Sequence, residues 1–200
     1  MRSKNSNKVL NGWPGGKILL LILVVMAYSC HRIDSPKPRG LFRIDLPEKE
    51  YVSYNSSCPF TFEYPVYGKI VTDPYSDEPC WFNIEFPQYK GQIYLSYKPV
   101  NGNIDLLIED AHKLAYEHAV KADAIEENYW ENAERHVYGT VYLISGNAAS
   151  SIQFYVTDST TNYLRGSLYF YTQPDKDSLA PVINFFRQDV IHLVETLEWK

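Results

Sequence analysis

The chain has 200 residues, a formal net charge of −5 and 15% aromatic residues, with 17 tyrosines among them. An acidic balance is a poor match for nucleic acid or an anionic lipid surface, because neutralising phosphates takes clustered Lys and Arg. The length suits one domain with a single core, and the aromatic content argues against a disordered chain.

At the N-terminus, the first 17 residues contain Arg2, Lys4, Lys8 and Lys17 and no acid, and residues 18–27 are uniformly apolar. This is the layout of a secretory signal. The run is too short to cross a bilayer as a helix, which takes about 20 apolar residues. Ala27, Tyr28 and Ser29 then precede Cys30. The arrangement resembles a bacterial lipobox, which predicts a lipoprotein signal peptide over residues 1–29 and lipidation of Cys30, with palmitate-type acyl chains. An ordinary cleaved signal and an uncleaved anchor are the alternatives. Several acyl chains hold a protein firmly, since each buried methylene contributes about 0.8 kcal/mol. Cleavage would remove four cations and no acid, taking the formal net charge from −5 to −9.

With Cys30 acylated, Cys58 and Cys80 are left as an even pair in a compartment that permits disulfides. A bond between them is expected to stabilise the fold by roughly 3 kcal/mol on the chain-entropy model. Two free thiols are the alternative. Neither cysteine belongs to a CxxC pair and no histidine lies between them, so no metal site is expected.

Residues 30–47 read as a lipid-anchored tether. The stretch "HRIDSPKPRG" has two prolines, a glycine and no apolar period, and extended chain covers about 3.3 Å per residue. A single domain is expected over 48–200. Strand patterns begin at 60–65 and continue at 80–87, 91–98, 134–146 (with a possible break at Gly139), 150–158 and 162–172. Ile93, Leu95 and Tyr97 alternate with Gln92, Tyr94 and Ser96. Short turn-rich links such as "DSTTN" favour antiparallel hairpins.

Two segments carry helical period instead. After a cap at Asn103, Ile104, Leu107, Ile108, Ala111, Leu114, Ala115, His118 and Ala122 share one face. From Ser178, a second stripe runs through Leu179, Val182, Ile183, Phe186, Val190, Leu193, Val194 and Leu197. The order predicts an α+β fold: an antiparallel sheet of about six or seven strands covered by two main helices. In pattern it is similar to the Mog1/PsbP-like sandwich.

Chemistry is sparse. His118 on an apolar helix face reads as a packed histidine, with a ligand or proton-transfer role as the minority reading. Glu109-x-x-His112 has the spacing used in di-metal bundles, but no second such motif exists. Ser145 and Ser150-Ser151 lack a G-x-S-x-G elbow. Glu126 and Glu127 read as a solvated pair in a loop. No catalytic residue, metal or cofactor is expected. Tyr89, Tyr129 and Trp130 are candidates for a protein-interaction surface, since Tyr and Trp are enriched at interfaces.

The stretches "PKPRGLFRIDLPEKEY", "CPFTFEYPVY", "PCWFNIEFPQYKGQIYLSYKP", "LIEDAHKLAYEHAVKADAI", "GNAASSIQFYVTDS", "LRGSLYF" and "DSLAPVINF" occur in this order. Together they resemble the gliding motility lipoprotein family GldD of the Bacteroidota. The resemblance implies an envelope lipoprotein needed for gliding and type IX secretion, anchored by lipid and facing the periplasm of the inner or outer membrane. It implies no catalytic residues. A structural or assembly component with other envelope proteins as partners, and no small-molecule substrate, is therefore expected. A periplasmic ligand-binding module or an enzyme with an unrecognised site are the alternatives.

Overall fold

Ten strands and two α-helices occur among the described residues, 45–171 and 176–200, of the computed structural model. The expected signal peptide, Cys30 and the tether up to residue 44 lie outside them. The chain runs β1 (Tyr51–Asn55), β2 (Phe60–Pro65), β3 (Lys69–Thr72), β4 (Trp81–Phe86), a 3₁₀ turn (Pro87–Tyr89), β5 (Gly91–Pro99) and α1 (Ile104–Tyr116). It continues as β6 (Ala122–Asn132), β7 (Val137–Gly146), β8 (Ser150–Thr157), β9 (Asn162–Phe170), α2 (Lys176–Glu195) and β10 (Glu198–Trp199). The fold is α+β. An antiparallel sheet of seven strands has the order β3-β4-β5-β9-β8-β7-β6, and a second sheet has the order β1-β2-β10.

Because side chains alternate across a strand, the large sheet has two distinct faces. On one, Ile84, Ile93, Phe154, Leu164 and Leu168 meet Val182, Phe186, Val190 and Leu193 of α2 and Phe60 and Phe62 of β2. Phe60, Ile84, Phe186 and Leu164 are wholly buried, and each such side chain is worth about 1.5–3 kcal/mol of transfer free energy. On the other face, Tyr142, Tyr155 and Tyr163 pack under Leu107, Ala111 and Ala115 of α1. The alanines let the helix backbone come close to the tyrosine rings.

Several expectations need correction. Strands β1, β3 and β6 carry no clear alternation in sequence, and Glu126 and Glu127 lie within β6 instead of a loop. Helix α1 stops at Tyr116, so His118 and Ala122 are not on its face. The backbone turns there through Ala119 N–H to Tyr116 O and Lys121 N–H to His118 O. Pairing with β7 then claims the chain: Ala122 registers with Gly146, whose φ of 105° suits only glycine. Asn103 occupies the N-cap position, but its side chain accepts from Asn101 N–H at 2.8 Å and makes no cap bond. Gly139 does not break β7. It lies against the Tyr155 carbonyl of β8, where any Cβ would collide. Helix α2 begins at Lys176, two residues before the expected Ser178.

Cys58 and Cys80 are joined, with Cα atoms 5.7 Å apart. The bond ties the β1–β2 connection of the small sheet to the start of β4 in the large one. A second tie is polar. Asp189 of α2, wholly buried, accepts from Lys49 Nζ at 2.7 Å, Tyr51 Oη at 3.0 Å and Tyr67 Oη at 2.6 Å. Lys49 also donates to Phe185 O at 2.9 Å and sits over the Phe185 ring. Beside them Tyr51 stacks on His192, and the His192 ring lies 2.7 Å from Glu63 of β2.

The β8–β9 hairpin is closed by Asp158, whose carboxylate accepts from the N–H groups of Thr160, Thr161 and Asn162 at 2.7–2.9 Å. Partial burial alone would raise its pKa, but these donors outweigh it and hold the carboxyl well below the usual range. Asp158→Ala is expected to cost about 1–3 kcal/mol by orphaning those donors, read as a lower urea midpoint at pH 7. The sign with pH follows. A depressed carboxyl gives its stability above the unfolded pKa and loses it as pH falls through the folded value, so the gap between wild type and variant should narrow below pH 4. An unchanged gap at low pH would contradict this.

Candidate functional site

A cleft of about 460 Å³ lies between α1 and strands β4, β5 and β9. Register assembles its floor. Ser96 of β5 is the partner of Arg165 of β9, Tyr94 is the partner of Ser167, and Asn83 of β4 is the partner of Tyr94. All of these side chains lie on one face because they are spaced by two along their strands. Trp81 borders the floor, its ring held by an Nε1–H bond to Tyr97 O at 2.7 Å. Leu107, Asp110, Ala111 and Leu114 form the helical wall, and Asp73 and Lys98 also line the cleft.

Arg165 donates from Nη2 to Gln153 Oε1 at 2.6 Å. Burial is the main cause that lowers its pKa, opposed by Tyr163, Tyr169 and Glu117. Tyr94 is pushed up to about 12, first by burial and then by its hydrogen bond with Tyr171. Tyr171 also donates to Gln92 Oε1. Tyr163 anchors the helix by donating to Leu107 O at 3.0 Å. The chemistry available is recognition by a cation, hydroxyls and aromatic walls.

The three aromatic candidates do not come together. Tyr129 is 83% exposed on β6, an edge strand of the large sheet. Trp130 follows it and therefore points to the opposite face, packed against the main core with a buried Nε1 that has no partner among the described residues. Tyr89 rests edge-on against Phe186 of α2 at 5.5 Å. His112 stacks on Tyr116 and lies 3.5 Å from Glu127 of β6, which also accepts from Tyr116 Oη at 2.7 Å. That pair of contacts pins the end of α1 to the edge strand. His118 lies in the turn after α1, its ring 6.2 Å from Tyr169, and burial lowers its pKa. Among the described residues no group of three His, Cys, Asp or Glu is placed to hold a metal ion, and no helix is long and apolar enough to cross a membrane.

The model of the family "Gliding motility lipoprotein GldD" matches residues 31–199. The chain belongs to that family. As a GldD-family member it is a gliding-related lipoprotein, and a lipoprotein is a component of the cell envelope. No curated protein matches it. Among solved structures, this GldD-family chain is similar to the solution structure of cyanobacterial PsbP (CyanoP) from Synechocystis sp. PCC 6803. The likeness has a TM-score of 0.49 at 9% identity and covers 78% of this chain and 95% of that one.

Proposed function

We propose that this domain is a structural or assembly component of the gliding and type IX secretion apparatus, held to the membrane by lipid on Cys30, facing the periplasm, and working through contacts with other envelope proteins. Membership of the gliding motility lipoprotein family supports the setting. The observation that carries the mode of action is β6. It is 11 residues long, lies at the edge of the large sheet, and displays Tyr129 almost fully to solvent. A long edge strand has a free row of backbone donors and acceptors on its outer side, a ready template for another chain. Its exposed carboxylates, Glu126 and Glu131, suit a partner with basic side chains and would speed encounter.

The test separates surface from core. Tyr129→Glu, expressed in cells in place of the native protein, is expected to impair gliding and secretion while leaving the melting temperature within 1–2 °C, since exposed positions away from caps and networks change stability by less than about 0.5 kcal/mol. Trp130→Ala and Tyr89→Ala lose packing as well, so their effect must be read beside their stability. Full motility with Tyr129→Glu, at normal protein level, would exclude β6 as the contact.

A further inference from the structure

The floor of the α1 cleft carries a guanidinium, with the carboxylates of Asp73 and Asp110 elsewhere in the lining. Arg165 stands in the middle of a central strand, and among the described residues no carboxylate forms an ion pair with it. Its hydrogen-bonded partner is the neutral amide oxygen of Gln153. Gln153 is itself only 1% exposed, and its Nε2 has no partner among the described residues. Arg165 is half-buried, and a partly desolvated cation is ordinarily matched by an anion and a buried donor by an acceptor. Among the described residues, neither an ion-paired carboxylate for Arg165 nor an acceptor for Gln153 Nε2 is present. The cleft beside them has the volume of a small-molecule site. Its sides are aromatic and aliphatic, with Trp81 and Tyr94 on the sheet and Leu107 and Leu114 on the helix.

We propose that this cleft binds a small organic carboxylate, its oxyanion on Arg165 with the Ser96 and Ser167 hydroxyls beside it and its apolar body between the sheet aromatics and α1. A planar guanidinium matches a carboxylate with two parallel hydrogen bonds. A doubly charged oxyanion fits less well, because Asp73 and Asp110 line the same cleft and offset the charge of Lys98. The site is separate from the β6 edge, so it stands or falls independently of the partner contact proposed there.

Isothermal titration of the full chain, solubilised in detergent with its disulfide intact, tests this with three probes: phenylacetate, its uncharged amide phenylacetamide, and inorganic phosphate. Phenylacetate is expected to give saturable binding, with the amide and phosphate at least tenfold weaker. Arg165→Gln should weaken phenylacetate at least tenfold. Leu114→Trp, which fills the cleft from a partly exposed position and keeps Arg165, should do the same, so the result does not depend on how well the arginine variant folds. Four outcomes overturn the proposal: no saturation by any probe, equal binding of the amide, phosphate binding as tight as phenylacetate, or undiminished phenylacetate binding in both variants.

Discussion

Replacing Asp189 by alanine is expected to cost about 3–5 kcal/mol, the usual penalty for leaving one partner of a buried ion pair unmatched. The carboxylate is wholly buried and takes three hydrogen bonds, from Lys49, Tyr51 and Tyr67. Its removal strands an ammonium that burial already disfavours: Lys49 has its pKa lowered, chiefly by desolvation and against the pull of Asp189. Urea unfolding monitored by tryptophan fluorescence measures the loss directly. The double change Lys49→Met with Asp189→Leu should recover much of it, because two apolar groups of similar size restore packing without an unpaired charge. A loss below 1 kcal/mol for Asp189→Ala would show that the cluster is incidental. The same cluster predicts alkaline behaviour. Burial, followed by Asp189, raises the pKa of Tyr51 and of Tyr67 above the ordinary tyrosine value. A raised pKa gives stability that is fully present below the unfolded value of about 10 and is lost as pH climbs beyond it. Lys49 is a single group acting in the opposite sense, so the wild type should weaken above pH 10 and Tyr67→Phe should weaken less steeply.

Removing the Cys58–Cys80 bond by paired serine substitutions is expected to lower stability by about 3 kcal/mol, the chain-entropy value for a loop of this size. The sequence separation is 22. Cys58 is 5% exposed within the main core, so a polar serine there adds a desolvation cost to the lost crosslink. Among the described residues, no strand of the small sheet pairs with a strand of the large one, which makes the bond a covalent splice between two hydrogen-bonded systems. Comparing urea midpoints of the wild type with and without reductant isolates the crosslink from the substitutions. Equal midpoints would mean that packing of α2 against both sheets is sufficient.

The legible parts of the fold were those where burial is one-sided. Strands β5, β8 and β9 and helix α2 each put large apolar residues at the right period, and the alternation of Ile93 and Leu95 with Tyr94 and Ser96 is the sheet's two faces written in sequence. Strand β6 was illegible because an edge strand is bordered by solvent and need not alternate, and its Glu126 and Glu127 look like loop composition. The overlong reading of α1 arose from Ala115, His118 and Ala122, whose spacing fits a helix as well as the turn and strand that long-range pairing imposes. Arg165 was also missed. Its signal was present: an arginine at the centre of "YLRGSLYF", on the same alternate set as Tyr163, Ser167 and Tyr169, is out of place in a buried strand unless something answers its charge. What could not be read was the cross-strand register, which alone places Ser96 beside it.

The position of Lys49, just ahead of β1 and fastened to α2, also determines how the domain would carry a load. A pull along the N-terminal segment meets the Lys49–Asp189 clasp before it reaches any strand hydrogen bond, and it is passed to α2 and through it to β10, which is stitched to β2 at Thr61 and Phe60. Tension therefore runs through the small sheet and the helix on one side of the molecule. The α1 cleft and the β6 edge lie outside that path.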